Sequence, residues 1–258
     1  MGSQPPVETK NLIQRVLGGN YLVGQRLGEG GSAEVFLAYD LQLNRKVALK
    51  FLIEDESTEK EVTKAFLNEG RILASLKHPG IVTVFSAQVE ETLKFPFLVM
   101  EYFEGVSLDE RGQEFRENPI FLFRLMIQIL EAIHACHTHP NTIIHRDLKP
   151  TNILINTANE IKVIDFGISL VGKTDLLSGY VIGSPEYMAP ELYEGKPTTP
   201  KTDIYALGIM FWELMIGKVP FSADPNSPDP LLDLKNQHCT HPLPLQILAR
   251  SPFGSPLC

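Results

Sequence analysis

The chain changes its sequence texture near Gly105, and this change limits the folds that it can adopt. Before that point the pattern is strand-like, at about 21–53 and again at 81–102, and one helical stretch interrupts it. After that point the pattern is mainly helical. Strands grouped ahead of helices predict an α+β protein rather than alternating strand–helix units. We therefore expect a small strand-rich lobe, then a larger helical lobe, with a ligand cleft between the two.

The helical stretch in the first part, residues 58–76, carries a carboxylate on its apolar face. That face is formed by residues at helical spacing: Val62, Ala65, Phe66, Ile72, Leu73 and Leu76. Glu69 falls among them and needs a cationic partner, because an unpaired carboxylate is costly to bury. Lys50 is the candidate partner, and it shares a strand face with Ala48, a residue small enough to cover a flat ring. The alternative for Lys50 is a solvated lysine on an exposed strand.

The second part is expected to centre on a long apolar helix. Asn118 and Pro119 suit the cap and first turn of a helix that runs to about His139. This helix is apolar nearly all round, which predicts a central element. A further apolar stretch, residues 204–216, is too short to cross a bilayer and predicts a buried helix.

A glycine-rich turn lies between two strand-like segments near the start of the first part. Glycines in such a turn let backbone N–H groups approach phosphate oxygens without a Cβ in the way. Ala33 replaces the third glycine of the G-x-G-x-x-G pattern, so an ordinary hairpin turn is an alternative. The residues of the turn are Leu27, Gly28, Glu29, Gly30, Gly31, Ser32, Ala33, Glu34 and Val35.

Residues 145–152, with the sequence HRDLKPTN, combine three groups suited to phosphoryl transfer. Asp147 is placed to accept the proton of a substrate hydroxyl, and Lys149 to neutralise the transferring phosphoryl group. Asn152 is a candidate metal ligand. A charged surface loop is the alternative, but a chance match at so many fixed positions is rare.

A second candidate metal ligand, Asp165, follows a predicted strand at 161–164 and opens the triplet Asp165-Phe166-Gly167. An oxygen ligand at a strand end suits Mg²⁺, which takes few protein ligands. The segment 183–191, GSPEYMAPE, and Asp203 at the start of the apolar helix complete the series.

Together these motifs resemble those of the eukaryotic-like (Hanks-type) Ser/Thr protein kinase family, in its bacterial-like form, over about residues 21–221. The resemblance implies the two-lobed protein-kinase fold, with an N-lobe antiparallel sheet plus one helix and a mainly helical C-lobe. It also implies ATP-dependent transfer of the γ-phosphate of Mg-ATP to protein Ser/Thr hydroxyls.

The resemblance further implies a role for each candidate residue. Asp147 would be the catalytic base, Lys149 the γ-phosphate contact, and Asn152 and Asp165 the Mg²⁺ ligands. Ser184 would bond the catalytic pair, and Arg146 would respond to phosphorylation within the loop 168–182 at Thr174, Ser178 or Tyr180. The ATP site would be formed by residues 27–35 with Ala48, Lys50, Glu69, Met100, Glu101, Phe103 and Leu154.

The resemblance implies a domain organisation that is incomplete at its C-terminal end. We expect a flexible leader at 1–20, the N-lobe and hinge at 21–103, the C-lobe at 104–230, and an irregular, incomplete segment at 231–258 with one short helix. The C-lobe looks truncated, which would leave apolar helix surface uncovered. Glu191 would lack its family arginine partner, because Arg250 is the only arginine after Arg146.

Composition restricts the partners and the compartment. The net charge is −8 without a basic stripe, which speaks against nucleic acid, and the start of the chain lacks a signal peptide. Three cysteines without a C-x-x-C pair favour a reducing, cytoplasmic location. The expected partners are protein substrates, no membrane segment is predicted, and the oligomeric state stays open.

Two histidine-containing groups invite a metal-site interpretation. They are the helix-end set His134, His137 and His139, and the run His238-Cys239-Thr240-His241. Neither has the four-ligand spacing of a structural zinc site, so a capped helix end and a loop are the better interpretations.

Two functional alternatives also remain open from the sequence. One is a catalytically impaired kinase fold that binds nucleotide or a partner protein because the C-terminal helices are missing. The other is a small-molecule phosphotransferase of related fold, against which the segment 183–191 speaks.

Overall fold

The computed structural model describes residues 12–29, 33–52, 60–90, 95–166 and 184–248, without the side chains of 60–62 and 69. The chain forms two compact units. The first is drawn from Met1–Lys77 and Val82–Phe103, and the second from His78–Ile81 and Glu104–Cys258.

The first unit is built on one antiparallel sheet of six strands, in the order β1-β2-β3-β4-β6-β5. One helix, α1, packs against β5 and β6. The predicted N-lobe, an antiparallel sheet with one helix, is thereby confirmed. The elements are β1 (Val16–Leu17), β2 (Tyr21–Glu29), β3 (Ala33–Asp40), β4 (Arg45–Leu52), α1 (Lys60–Ser75), β5 (Val84–Val89) and β6 (Pro96–Glu101).

Strand register sorts the side chains of this sheet onto two faces, because opposite partners point the same way and successive residues alternate. One face carries the aromatic core, in which Phe51 packs edge-on against Phe36 and Phe95 at centroid distances of 5.5 and 5.4 Å. The other face carries predicted ATP-site residues: Val35 pairs with Lys50, and Ala48 pairs with Met100. Register therefore brings four of the predicted residues to one side of the sheet.

Helix α1 approaches the same side of the sheet through a glycine. A Cβ at Gly70 would collide with Leu98 Cδ2 and lie 3.3 Å from Ala87 Cβ. Leu98 is the β6 partner of Lys50 and shares its face. Gly70 thus lets the helix backbone pack closely over the strand that carries the partner of Lys50.

The second unit is mainly helical, as predicted, with a small three-stranded antiparallel sheet in the order β7-β8-β9. Its described helices are α2 (Gly112–Glu117), α3 (Pro119–Thr138), α4 (Pro190–Tyr193), α5 (Pro200–Ile216), α6 (Pro230–Thr240) and α7 (Leu245–Leu248). Its strands are β7 (Val106–Ser107), β8 (Ile153–Ile155) and β9 (Ile161–Val163).

Helix α3 begins where the sequence predicts, and α5 begins at Pro200, three residues before the predicted start at Asp203. Asn118 Oδ1 accepts a hydrogen bond from the Phe121 amide at 3.1 Å, with Pro119 in the first turn of α3. Thr199 caps α5, which ends at Gly217 with a left-handed φ of 86°. Local capping chemistry therefore fixes both helix starts.

Helix α3 is central on one face only, which corrects the expectation of a helix buried all round. Its opposite face is a stripe of half- to two-thirds-exposed apolar residues, which we call the α3 stripe: Ile120, Phe123, Ile127 and Leu130. By length and composition α3 is the one described helix that is suited to cross a membrane. However, its other face packs into the core of the unit through Leu122, Leu125, Met126, Ile129, Ala132, Ile133 and Cys136.

The segment after residue 230 contains two helices instead of the single short one expected. Pro230 occupies the first turn of α6, where its missing N–H costs nothing, and Asp229 Oδ1 accepts from the Leu232 amide at 3.0 Å. Buried Leu234 and His238 then pack α6 against α4 and α5. The prolines begin this segment's helix rather than disrupt it.

Candidate active site

The predicted catalytic loop is fixed at three successive backbone amides. The amides of His145 and Arg146 donate to the two carboxylate oxygens of Asp203, each at 2.9 Å. The amide of Asp147 donates to Nδ1 of the His145 ring at 3.3 Å. Asp203 is buried at the start of α5, so the longest apolar helix after α3 anchors the loop that carries the predicted base.

The His145 ring connects this loop to the residues that precede Asp165. Its Nε2 donates to the Ile164 carbonyl oxygen at 2.9 Å, which leaves Nδ1 as the acceptor for Asp147. Complete burial lowers the pKa of His145, which favours this neutral tautomer. The ring also stacks on Phe166 at a centroid distance of 4.6 Å. One buried imidazole therefore ties both predicted metal-binding segments together.

Two residues of the site adopt left-handed backbone conformations that cost energy in non-glycine residues. They are Arg146, with a φ of 68°, and Asp165, with a φ of 52°. Such conformations persist where surrounding contacts hold them, and they concentrate at functional sites. The Arg146 side chain is held as well, because its Nε donates to Thr198 Oγ1 at 3.2 Å.

Asp147 lies at the centre of a polar network with the other predicted catalytic groups. Asn152 Nδ2 donates to its carbonyl oxygen at 2.7 Å and to Oδ2 at 2.9 Å. Lys149 Nζ lies 3.1 Å from the same Oδ2 and donates to Ser184 Oγ at 2.7 Å. The sequence predicted each of these four residues, and the structure brings them into one cluster.

The donor set suits Mg²⁺ better than a softer metal. Asn152 uses its side-chain nitrogen on Asp147, so its amide oxygen points away from that contact and suits a hard cation. Asp165 supplies a half-buried carboxylate at the end of the segment after β9. Within the described residues no group of three or more His, Cys, Asp or Glu side chains forms a metal site.

The remaining predicted ATP-site residues lie in the first unit, except Leu154, which is half-buried in β8 of the second. Gly28 pairs with Val35 across β2 and β3, and space for a Cβ is open there. Glu101 is the last residue of β6, and Phe103 is the last residue of the first unit. Gly30, Gly31, Ser32, the Glu69 side chain and the loop 168–182 fall outside the described residues.

Two residues of the glycine-rich turn have a structural partner of their own. Glu34 is buried, and its Oε1 accepts from Arg26 Nη1 at 3.1 Å, while Glu29 Oε2 contacts the same nitrogen at 2.5 Å. These side chains hold β2 against β3. The buried Glu34 side chain is therefore engaged in a contact between strands, whereas Glu29 pairs within β2.

The segment after Ser184 is held by hydroxyl contacts that the sequence did not reveal. Tyr187 Oη donates to Glu213 Oε2 at 2.5 Å, and Tyr193 Oη donates to the Pro185 carbonyl oxygen at 2.6 Å. Burial raises the pKa of Tyr187 and of Glu213. These contacts fix the segment beside Lys149.

Glu191 has a hydroxyl partner, while Arg250, the one arginine that follows Arg146, lies outside the described residues. Glu191 is half-buried, and its Oε1 accepts from Thr202 Oγ1 at 2.6 Å. A hydroxyl of α5 thus takes part of the role expected of an arginine.

His137 is a site residue that the sequence assigned to a helix cap. Its Nε2 lies 2.7 Å from Asp203 Oδ2, the oxygen that also accepts the His145 amide. The neighbouring Cys136 thiol is inert, because burial and the Asp203 charge raise its pKa to about 12. No spacing rule connects His137 to Asp203, since 66 residues separate them.

Comparison with known proteins agrees with this geometry. The chain is 40% identical over 216 residues to the serine/threonine-protein kinase PrkC of Bacillus subtilis, covering 83% of this chain and 33% of that protein. It is 38% identical over 215 residues to the serine/threonine-protein kinase PknB of Mycobacterium tuberculosis, covering 81% and 34%. The chain thus spans about a third of the length of the curated relatives it matches.

The family described as the protein kinase domain matches residues 21–246, which contain every site residue named above. With the catalytic network and the two-unit architecture, this match shows that the chain belongs to the bacterial-type branch of the protein kinase family.

Proposed function

We propose that this chain is an ATP-dependent protein Ser/Thr kinase. The observation that carries the proposal is the contact of Asp147 with both Lys149 and Asn152, at 3.1 and 2.9 Å. A base, a cation and an amide ligand within reach of one another are the groups that phosphoryl transfer requires. Serine and threonine are the proposed acceptors because Lys149 is typical of Ser/Thr kinases and both relatives carry that name.

In the proposed step, Asp147 accepts the proton of the acceptor hydroxyl while the hydroxyl oxygen attacks the γ-phosphorus. The bond between that phosphorus and the β–γ bridging oxygen breaks, and ADP leaves. Lys149 neutralises charge on the transferring group, and Ser184 orients the Lys149 ammonium. Positioning and charge neutralisation supply most of such a rate enhancement.

Magnesium and ATP are proposed as the cofactor and the phosphate donor. Asn152 and Asp165 would hold Mg²⁺, which neutralises phosphate charge when bound. Ala48 and Leu154 would contact the adenine, Met100 to Phe103 would read its edge, and Lys50 with Glu69 would hold the α- and β-phosphates. A cytoplasmic location is proposed as well, because the three cysteines form no C-x-x-C pair.

The test is transfer of label from γ-labelled ATP to a protein acceptor with Mg²⁺, for wild type and for Asp147→Asn. We expect label on Ser or Thr in wild type and a loss of at least about 100-fold in the variant, the lower range for a lost general base. Thermal melting with and without Mg-ATP runs in parallel, and both proteins should be stabilised by the nucleotide.

Other outcomes separate the alternatives. Nucleotide stabilisation without any transfer would identify the impaired kinase fold that binds nucleotide or a partner. Equal transfer by both proteins would mean that Asp147 is not the base. Transfer to small molecules with none to protein would favour the small-molecule phosphotransferase.

A further inference from the structure

The α3 stripe is a continuous apolar row on the surface of the second unit. Its residues are between 45% and 68% exposed. They recur at spacings of three and four from Ile120 to Leu130, so the row follows one side of the helix for about 15 Å. A contiguous apolar row on a folded surface marks a site of association, because a partner that covers it removes apolar area from water.

Helix α5 borders the stripe on one side. The end of α3 contacts the start of α5 through His137 and Asp203, which lie 2.7 Å apart. Near the start of α3, Phe123 packs edge-on against Phe211 of α5 at a centroid distance of 5.5 Å. The two helices therefore run antiparallel, and α5 lies on the Phe123 side of the stripe.

The side of the stripe away from α5 carries two exposed charges of opposite sign. Arg124 follows Ile120 by one helical turn and Glu131 follows Ile127 by one turn, so both lie along the same edge. Within the described residues neither side chain forms an ion pair or a hydrogen bond. Both charges are thus available to a partner that covers the stripe.

A second copy of the chain fits this arrangement of charges. When α3 packs antiparallel on α3 of a second copy, with the two-fold axis beside Ile127, residues before the axis meet residues after it. Arg124 lies three residues before Ile127 and Glu131 lies four residues after it, so each Arg124 meets Glu131 of the second copy. A parallel pair in register would instead bring like charges together, which is unfavourable.

We propose that the α3 stripe is the interface of a symmetric dimer, in which two copies of this chain pack antiparallel through α3. The occupant is a second copy because the charged edge of the stripe is complementary to itself, as an interface on a two-fold axis requires. The apolar row supplies most of the affinity, and the two Arg124–Glu131 pairs at its rim select the orientation. One helix from each copy makes a small interface, so we expect a dissociation constant on the order of 10 μM.

The experiment measures this constant by sedimentation equilibrium of the full chain, from about 1 to 300 μM. Ile127→Glu places a charge at the centre of the interface and should leave the chain monomeric; the residue is 55% exposed, so the core is not disturbed. Arg124→Glu and Glu131→Arg each convert both ion pairs into like-charge contacts, and each should raise the dissociation constant about 10-fold or more. Arg71→Glu reverses an exposed arginine of α1 in the first unit and should match wild type.

Combination of the two charge reversals distinguishes this dimer from non-specific association. The double variant Arg124→Glu/Glu131→Arg restores both pairs with exchanged signs, so its dissociation constant should lie within about 3-fold of wild type. An equimolar mixture of the two single variants should form a heterodimer of similar affinity, because one copy then carries two acidic residues and the other two basic ones. If neither the double variant nor the mixture recovers affinity, the proposal is overturned.

Other occupants of the stripe would give different results. Wild-type chain that stays monomeric up to about 300 μM would overturn the proposal, since that concentration is far above the expected dissociation constant. If this monomer cosediments with vesicles of equal parts phosphatidylcholine and phosphatidylglycerol and Ile127→Glu does not, the stripe binds a lipid surface instead. Association that persists in Ile127→Glu would also overturn the proposal, because the contact would then lie elsewhere on the chain.

Discussion

Asn152 donates twice to Asp147, at 2.7 Å to the carbonyl oxygen and at 2.9 Å to Oδ2. Both contacts come from one nitrogen of a side chain that is 95% buried in the turn Pro150–Asn152. The Asn152 side chain therefore holds Asp147, the proposed base, through its nitrogen and leaves its oxygen available to the proposed Mg²⁺. An isosteric carboxylate at this position would keep an oxygen for a cation, but it would have no N–H to donate to Asp147.

Asn152→Asp is expected to lower kcat at least about 100-fold, since a carboxylate beside Asp147 disturbs a preorganised charge. It should also lower the free energy of unfolding by about 1–3 kcal/mol, the cost of leaving buried acceptors without a donor. The measurements are steady-state kinetics across Mg²⁺ concentrations and urea unfolding. Asn159→Asp makes the same chemical change at an exposed residue that accepts from Arg111, and it should alter neither quantity. Retained activity in Asn152→Asp would contradict the base-orienting role.

Ser184 holds the ammonium of Lys149 through its hydroxyl at 2.7 Å. Ser184→Ala removes this acceptor and leaves the ammonium to Asp147 alone, so we expect kcat to fall about 10-fold or more. Ser184→Thr keeps a hydroxyl at the same Cβ and should stay within about 3-fold of wild type, because the hydrogen bond persists. Equal kinetics for the Ala and Thr variants would show that the hydroxyl does not guide Lys149.

The chemical groups of the site were predictable from the sequence because they lie within short motifs. Asp147, Lys149 and Asn152 fall within six consecutive residues, so a single turn and strand bring them together. The helix start at Asn118 was also predictable, since capping chemistry is local.

The contacts that hold the motifs were not predictable, because they join residues far apart in the chain. His137 reaches Asp203 across 66 positions, and Thr202 Oγ1 donates to Glu191 from a different helix. The exposed α3 stripe was not predicted for a related reason. When a helix is apolar nearly all round, its sequence pattern does not indicate which face packs against another element.

The same substitution, glycine to alanine, is expected to have opposite effects on stability at Gly70 and at Gly208. Gly70→Ala should destabilise the first unit despite the better helix propensity of alanine, because its Cβ meets the fully buried Leu98 and the half-buried Ala87. Gly208→Ala meets nothing within 4 Å and should stabilise the protein by about 0.5–1 kcal/mol. Denaturant unfolding of both variants checks the signs, and a gain for Gly70→Ala would contradict the close packing of α1. Displacement of α1 should also weaken Mg-ATP binding in that variant alone.

His238 makes the docking of α6 sensitive to acid. Its ring is 6% exposed, and it packs on Tyr193 and Phe221 and shares a hydrogen bond with Tyr205 through Nδ1 at 2.8 Å. In the described chain Nε2 finds no partner for a second proton. Burial lowers the pKa of His238 to about 4. The imidazole is therefore neutral in the folded protein near pH 6, where half or more of it would be charged when unfolded.

Because this folded-state pKa lies below the unfolded value of 6.5, the unfolded chain binds more protons between these two values. Stability from this group is complete above pH 6.5 and is lost as pH falls toward 4, by at most about 3 kcal/mol. His238→Phe removes the titration, although Tyr205 then loses its partner and the variant starts from a lower stability. The difference between the unfolding free energies of wild type and variant at each pH separates the titration of His238 from that of the carboxyl groups, which titrate in the same pH range. The difference should shrink steadily from pH 6.5 to 4. A constant difference would mean that His238 accepts a proton in the folded state.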